Sequence, residues 1–448
     1  MSLWVEGKGY CVLLACSCLL TIFSLFQSAA AGVGFARVDG ETYFLHSNSR
    51  PDNTLAIVAG PDLETSGQKI DTKLELEAYM YVNSPKSFTA ESQNAYIASS
   101  RSFSERHQLT FGRRMYDWSV SDDAWKIGTW TPRFNWDPLN PEQVGNTGLF
   151  YTYESRSWRV LVFASGMAAP ERGVPLNSNL TSPSGDWVSP FSQINLPALN
   201  NAQIPIKYNV AYPPLSKLIL FPSAALQVKY GEKEGVWASA GYAFMPIHQA
   251  NLLVEGTLPV QSLEVDVAIH PTVLMQHLIT VEAGFKQKYW SSWVSATREI
   301  PIMKDHPLTW IQQPMGPAYL FSAGQNWEFL NSLKVSVSGL LVNEVLPDAG
   351  TSGNSLSLTL PSRFPYKQAV QAGLNWQANE KWNFGARWIL DVANVSDLLS
   401  FDTGYRPFHK EDWFFGLGVD RVISGTKKGL VGQFEDNDRV RMRVAYAF

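Results

Sequence analysis

The chain is poor in charge, almost free of cysteine, and has no long apolar run after residue 32. Charged residues make up 17% of its 448 residues, against about 25% in an ordinary soluble protein. The net charge of −4 argues against a nucleic-acid partner, since such domains are usually basic. The three cysteines, Cys11, Cys16 and Cys18, all lie in one N-terminal apolar segment. The rest of the chain therefore has no disulfide and no thiolate chemistry. No stretch beyond residue 32 reaches the roughly 18 apolar residues of a membrane-spanning helix. If this chain crosses a membrane, a closed barrel is the remaining way to satisfy its backbone hydrogen bonds. The histidines (His46, His107, His248, His270, His277, His306 and His409) form no H-E-x-x-H or H-x-x-x-H pair, so no metal or cofactor is expected. No G-x-S-x-G elbow or phosphate loop is present either,.

What the chain does have begins with an export-like segment. Lys8 gives a thin positive start, offset by Glu6, an apolar core runs from Cys11 to Phe26, and small residues follow from Ser28 to Gly32. That pattern predicts a cleaved signal over 1–31 and a single mature domain over 32–448. The alternative is a retained anchor, for which the apolar core is short. Leu13-Leu14-Ala15-Cys16 is similar to a lipoprotein box, but the apolar run continues well past Cys16.

The remaining chain alternates apolar and polar residues in segments of about ten, with aromatics at 13% of the composition,. In Lys73–Asn83, Leu74, Leu76, Ala78, Met80 and Val82 oppose Lys73, Glu75, Glu77, Tyr79 and Tyr81. Leu263–His270, Leu333–Asn343, Trp382–Val392 and Trp413–Asp420 repeat the pattern. A soluble sandwich with one wet face would also alternate. The apolar faces here often end in Trp, Tyr or Phe, as a lipid-facing band does at its interfaces. Tight polar turns near 154–156, 231–234, 330–332, 378–380 and 409–412 alternate with irregular stretches near 117–147, 168–207, 300–316, 344–366 and 424–438. The fold expected is all-β: one antiparallel barrel of about 18 strands, within roughly 16 to 20. The segment count comes out odd in places, which an even-stranded barrel does not allow, so at least one strand assignment is wrong.

The last ten residues are the most specific. Val440, Met442, Val444, Tyr446 and Phe448 share one face; Arg439, Arg441 and Arg443 share the other with Ala445 and Ala447. This resembles the C-terminal signal of Gram-negative outer-membrane barrels, read by their assembly machinery. The resemblance implies a porin-like barrel in the outer membrane, with short periplasmic turns, long extracellular or lumenal loops, and lipid as its surroundings. It also implies an assembly role for Tyr446 and Phe448, and a homo-oligomer is compatible with it. A closed barrel pairs last strand with first, here Phe35–Leu45, which sets Asp39 and Glu41 near the three arginines. Glu75 and Glu77 on the next candidate strand also face inward. Either these charges form a ladder lining a pore or they form a seam that closes the barrel. Lipid-facing arginines would each cost about 2–4 kcal/mol at mid-membrane.

One irregular stretch stands out. Residues 113–148 interleave Trp118, Trp125, Trp130 and Trp136 with Arg113, Arg114, Asp117, Asp122, Asp123, Arg133, Asp137 and Glu142. A long Trp-rich segment of this kind either folds into the lumen as a constriction or packs as an external cap. Arg113, Arg114, Asp122, Asp123, Trp125, Arg133, Asp137 and Glu142 are the constriction candidates. The function expected is passage of small hydrophilic solutes and no enzymatic activity. The alternatives are a barrel plugged by its own loops that serves as a scaffold or surface contact, and a barrel enzyme built from distant strands.

Overall fold

The structure is a computed structural model. It describes residues 34–44, 53–82, 84–101, 104–172, 177–178, 187–188, 206–231, 234–257, 265–307, 310–312, 315–329, 332–345, 363–407, 413–425 and 429–447. The expected signal segment and Phe448 lie outside these, as do most of 168–207 and the turn at 409–412.

Eighteen strands close into a single antiparallel barrel. They are β1 (Gly34–Tyr43), β2 (Asn53–Ser66), β3 (Ile70–Tyr81), β4 (Ser84–Ser99), β5 (His107–Arg114), β6 (Asn146–Glu154), β7 (Trp158–Ser165), β8 (Ser223–Gly231) and β9 (Gly235–Pro246). The rest are β10 (Met275–Lys286), β11 (Trp290–Ile302), β12 (Ala318–Phe329), β13 (Leu333–Glu344), β14 (Gln368–Gln377), β15 (Trp382–Asp391), β16 (Ser396–Tyr405), β17 (Trp413–Ser424) and β18 (Arg439–Ala447). Closure is between β1 and β18, with Asp39 opposite Arg443 and Glu41 opposite Arg441.

The period-two pattern explains the wall. Along β3, Glu77, Tyr79 and Tyr81 turn inward and are buried, while Leu74 and Leu76 face out. On β18, Met442 and Val444 are exposed on the outer face. Outer aromatics cluster at one rim, where Trp158 meets Tyr230, Trp382 meets Tyr405 and Trp413 meets Tyr446. The turns after β2, β6, β10 and β14 and both ends of the barrel chain lie at this rim; every long connection lies at the opposite rim, together with the short ones after β3 and β15. We call these the turn side and the long-connection side.

One alternating segment is not wall. Val265–Thr272 pairs with 206–210, Asn251–Thr257 and through them Ile311–Gln312 in a separate four-stranded sheet built from three long connections. Its alternation is real, because Val267 and Ile269 are buried, but it is spent on this small sheet. His270 reaches Glu255 there at 3.3 Å, and Trp310 stacks on its ring.

Candidate functional site: the lumenal constriction

Residues 115–145 leave the end of β5, cross the barrel interior and rejoin the wall at β6. Their course is fixed by bonds to inward residues on many strands. Gln227 on β8 donates to the Trp118 carbonyl (2.6 Å), and Trp130 Nε1 donates to Thr280 Oγ1 on β10 (2.8 Å). Glu282 on β10 accepts from Ser119 Oγ (2.8 Å) and Val120 N–H (2.9 Å). Farther round, Gln371 on β14 donates to the Ala124 carbonyl (2.9 Å), and Arg387 on β15 donates to the Leu139 carbonyl (2.7 Å). The segment therefore spans the lumen.

Its own fold has a local cause. Ser119 caps a short helix, α1 (Val120–Trp125), and Lys126 ends it in the left-handed region at φ 48°. Asp122, fully buried in this turn, accepts from Gly128 N–H (2.9 Å), Thr129 N–H (3.1 Å), Trp130 N–H (3.0 Å), Thr131 N–H (3.1 Å) and the Thr129 hydroxyl (3.2 Å). A carboxylate that satisfies four buried amides holds the following turn rigid. Burial pushes its pKa up, and those amide bonds work against the rise.

Above this segment, toward the long connections, the interior is an apolar core. One cluster joins Trp125, Ile127 and Leu139 to inward Leu320, Leu340, Val342, Ile389, Leu398 and Val422. A second packs Trp118 and Trp130, stacked at 5.3 Å, against Phe150, Leu161 and Phe163. A third sets Phe134 and Trp136 against Tyr79 and Tyr81, with the Trp136 and Tyr81 rings 4.5 Å apart. Two further segments seal this side. Glu171 pairs with Arg133 (2.6 Å), and His248 Nε2 donates to the Trp130 carbonyl (3.3 Å). Burial pulls the His248 pKa down to about 4, so the ring is neutral at physiological pH.

Below the segment, toward the turns, the interior is open. One cavity of about 650 Å³ is bounded by α1 and the inward faces of β10 to β15. Trp293 lies flat on Gly324 there: a Cβ on Gly324 would sit 2.5 Å from the ring. Its charges are mostly positive: Lys126, Lys286, Lys288, Lys334 and Arg387 against Asp123 and Glu328, with Arg133 tied to Glu171. Asp123 is exposed, and its carboxyl opens onto this cavity. Desolvation inside the barrel, then the neighbouring Asp122, Asp117 and Glu282, push its pKa up to about 8.

The second cavity, about 380 Å³, lies along the β1–β18 seam, and Lys126 borders both. Its charges are balanced. Arg443 Nε donates to Asp39 Oδ1 (2.8 Å) and Arg37 Nε to Asp39 Oδ2 (2.8 Å). Arg441 Nη2 donates to Asp402 (2.8 Å) and Asp420 (3.1 Å). Arg439, fully buried, splits its fork between Asp420 Oδ2 (2.8 Å), Glu41 Oε1 (3.0 Å) and Asp137 Oδ2 (2.6 Å). Four arginines thus meet five carboxylates.

The sequence candidates fall into three groups. Asp123, Trp125, Arg133, Asp137 and Glu142 border one cavity or the other. Asp122 is an internal staple, not a lining residue. Arg113 and Arg114 border neither cavity: Arg113 pairs with Glu91 (2.5 Å) at the end of β5, and Arg114 lies 4.5 Å over the Tyr96 ring. Of the proposed ladder, Asp39, Glu41, Arg439, Arg441 and Arg443 come together. Glu75 and Glu77 do not join the arginines; Glu75 accepts from Asn94 (3.0 Å) and Glu77 accepts from the Tyr79 hydroxyl. Tyr446 packs on Trp413 at the turn-side rim (4.9 Å). Sequence reasoning missed Lys126, Arg387 and Asp402. Arg387 was already on the polar face of its segment, but that Lys126 and Arg387 approach one cavity is a tertiary fact.

The architecture is a closed 18-stranded antiparallel barrel whose interior is crossed by one of its own connections. No family model matches the chain, and no curated protein matches it. Solved structures that resemble it include Acinetobacter baumannii OccAB1, at 10% identity over 93% of this chain and 95% of that one, TM-score 0.48. Pseudomonas aeruginosa OccK8 (OprE) is 8% identical over 94% and 99%, TM-score 0.47, and a mutant Rh. blastica porin is 10% identical over 93% and 99%, TM-score 0.39. The fold assignment rests on the strand order and closure described above.

Proposed function

We propose that this chain is an outer-membrane channel for small hydrophilic solutes, and that residues 115–145 form its constriction. The observation that carries this reading is the segment's course across the lumen, with two water-accessible cavities left on its turn side. The outward apolar wall and its aromatic rim support placement in a lipid bilayer. The turn side then faces the periplasm and the long connections face outward.

The larger cavity also suggests a preference. Five cationic side chains face two carboxylates across it, and like-signed walls of low dielectric concentrate the opposite ion. Small anions are therefore favoured over small cations. Lys126 and Arg387 are the strongest determinants. Their nearest partners are neutral, the Pro141 carbonyl for Lys126 (2.8 Å) and the Asn140 amide oxygen (2.5 Å) and Leu139 carbonyl (2.7 Å) for Arg387. The seam cavity contributes little to the preference, because its charges are paired.

The test is reversal potential across planar bilayers under a potassium chloride gradient. The reading expects chloride to be preferred, and the Lys126→Ala, Arg387→Gln double variant to lose most of that preference. Equal or cation-favouring permeability in the parent would overturn the anion preference. A second reading, a barrel closed by its own connections, is favoured by the apolar clusters on the long-connection side. It expects no conductance from a folded, inserted barrel.

A further inference from the structure

On the long-connection side, the residues just before β14 reach down into the barrel. Lys367 is fixed to the wall, since its carbonyl accepts from Val342 N–H (2.7 Å). The four residues before it sit on the constriction. Phe364 and Tyr366 are each 6% exposed and belong to the cluster containing Trp125, Ile127 and wall residue Val342. Tyr366 meets Trp125 edge-on at 5.8 Å. Between Arg363, Phe364 and the constriction segment lies a void of about 20 Å³. That is too little for a solute and marginal for one water.

The electrostatics of this contact are unusual. Arg363 lies in the void's wall between Glu299 on β11 and Glu344 at the end of β13, all three nearly fully buried. It hydrogen-bonds Glu299 and stands 3.7 Å from Glu344. One arginine from a connection is thus the counter-ion of two carboxylates on the wall. Its hydrogen bonding is incomplete: Arg363 Nε, Arg363 Nη2 and Glu299 Oε2 have no hydrogen-bond partner. In a buried pair, desolvation opposes the Coulomb attraction, and missing hydrogen bonds leave the balance shallow. By contrast, Arg439 at the seam fills all three arms of its fork.

We infer that Arg363–Tyr366 is a lid that closes the lumen over the constriction, and that Arg363 is its latch. Seated, the lid covers the cluster around Trp125 and Ile127 and puts Tyr366 at the edge of the 650 Å³ cavity. Lifted, it exposes inward Leu340 and Val342 and connects that cavity to the long-connection side. Without Arg363, the buried Glu299 loses the cation it is hydrogen-bonded to, and its desolvated charge draws water in,. The effect of the lid on conduction rests on the channel reading; its seating does not.

The experiment uses the full chain folded in detergent or lipid, with Val342→Cys as a reporter beneath the lid. Reaction of this thiol with a bulky aqueous maleimide is followed by peptide mass, which separates it from the native cysteines at 11, 16 and 18. Arg363→Gln is expected to raise the labelling rate at Cys-substituted 342 by about tenfold or more, and Arg363→Lys to raise it less. Equal rates in parent and Arg363→Gln, whether both slow or both fast, would overturn the lid. If Arg363→Gln does not fold, the Arg363→Gln, Glu299→Gln, Glu344→Gln variant leaves no stranded charge and carries the same measurement and the same criterion. Bilayer recordings on these variants separate the two ideas. Faster labelling without conductance sustains the lid and rejects the channel. Conductance with unchanged labelling does the reverse.

Discussion

The two halves of the barrel interior obey opposite rules. Toward the long connections, inward wall residues such as Leu320, Val342, Ile389 and Val422 pack on the connections as in the core of a soluble domain. Toward the turns, the inward positions are Ser336, Asn326, Gln371, Lys334 and Arg387, which face open cavity. The same strands run through both halves, so strand geometry is not the cause. The difference lies in what stands opposite each inward side chain: a connection in one half, water in the other. Residues 115–145 are the boundary, apolar above through Trp125, Ile127 and Leu139, charged below through Asp123 and Lys126.

Arginines on one strand give the largest contrast. Arg439 is fully buried among Asp420, Glu41 and Asp137, whereas the Arg443 side chain is 43% exposed. Arg439→Gln takes their cation from Glu41 and Asp137, while Asp420 keeps Arg441, and should cost about 3–5 kcal/mol,. Denaturant unfolding in micelles, or loss of the compact form on unheated gels, would register it. A neutral result would mean that the seam does not hold the barrel closed.

The boundary itself comes next. Asp122→Ala leaves four buried amides without an acceptor and should cost about 3 kcal/mol locally. Because the wall is untouched, the barrel should persist while proteolysis within 126–132 becomes faster. Unchanged protease resistance would remove Asp122 as the staple.

A smaller effect follows from Asp123. Its raised pKa means that the folded state holds a proton the unfolded chain releases near the ordinary carboxylate range. The associated stability is full at acid pH and is lost as pH rises through about 8,. As pH falls through that value, the cavity also loses a negative charge, so anion preference should rise. Asp123→Asn should flatten this dependence. The least change is expected for Arg443→Gln: its exposed pair with Asp39 is worth under about 1 kcal/mol, and melting should barely shift.

The barrel was legible because the wall strands carry apolar side chains on the outer face, so the period of two survives in Leu74, Leu76, Met442 and Val444. Closure was legible for a related reason. Arg439, Arg441 and Arg443 could not face lipid, and Asp39 and Glu41 offered the matching charge on the strand that closure brings beside them. The apolar half of the interior was not legible. Inward Leu340 and Val342 read in isolation as breaks in the alternation, and only the packed connections give them a reason. Val265–Thr272 misled for the opposite reason: a strand in a small sheet of connections alternates as a wall strand does. The split between Asp122 and Asp123, adjacent yet one a buried staple and the other a cavity wall, depends on the turn of α1 and has no sequence signal.

The central claim is that residues 115–145 set the width of a conducting lumen. Deleting 117–144 and recording single-channel conductance in planar bilayers tests it most directly. The account expects discrete steps from the parent protein and steps several-fold larger from the deletion, with chloride preference reduced as Lys126 is lost. A folded, inserted barrel whose step size is the same with and without the segment would contradict it.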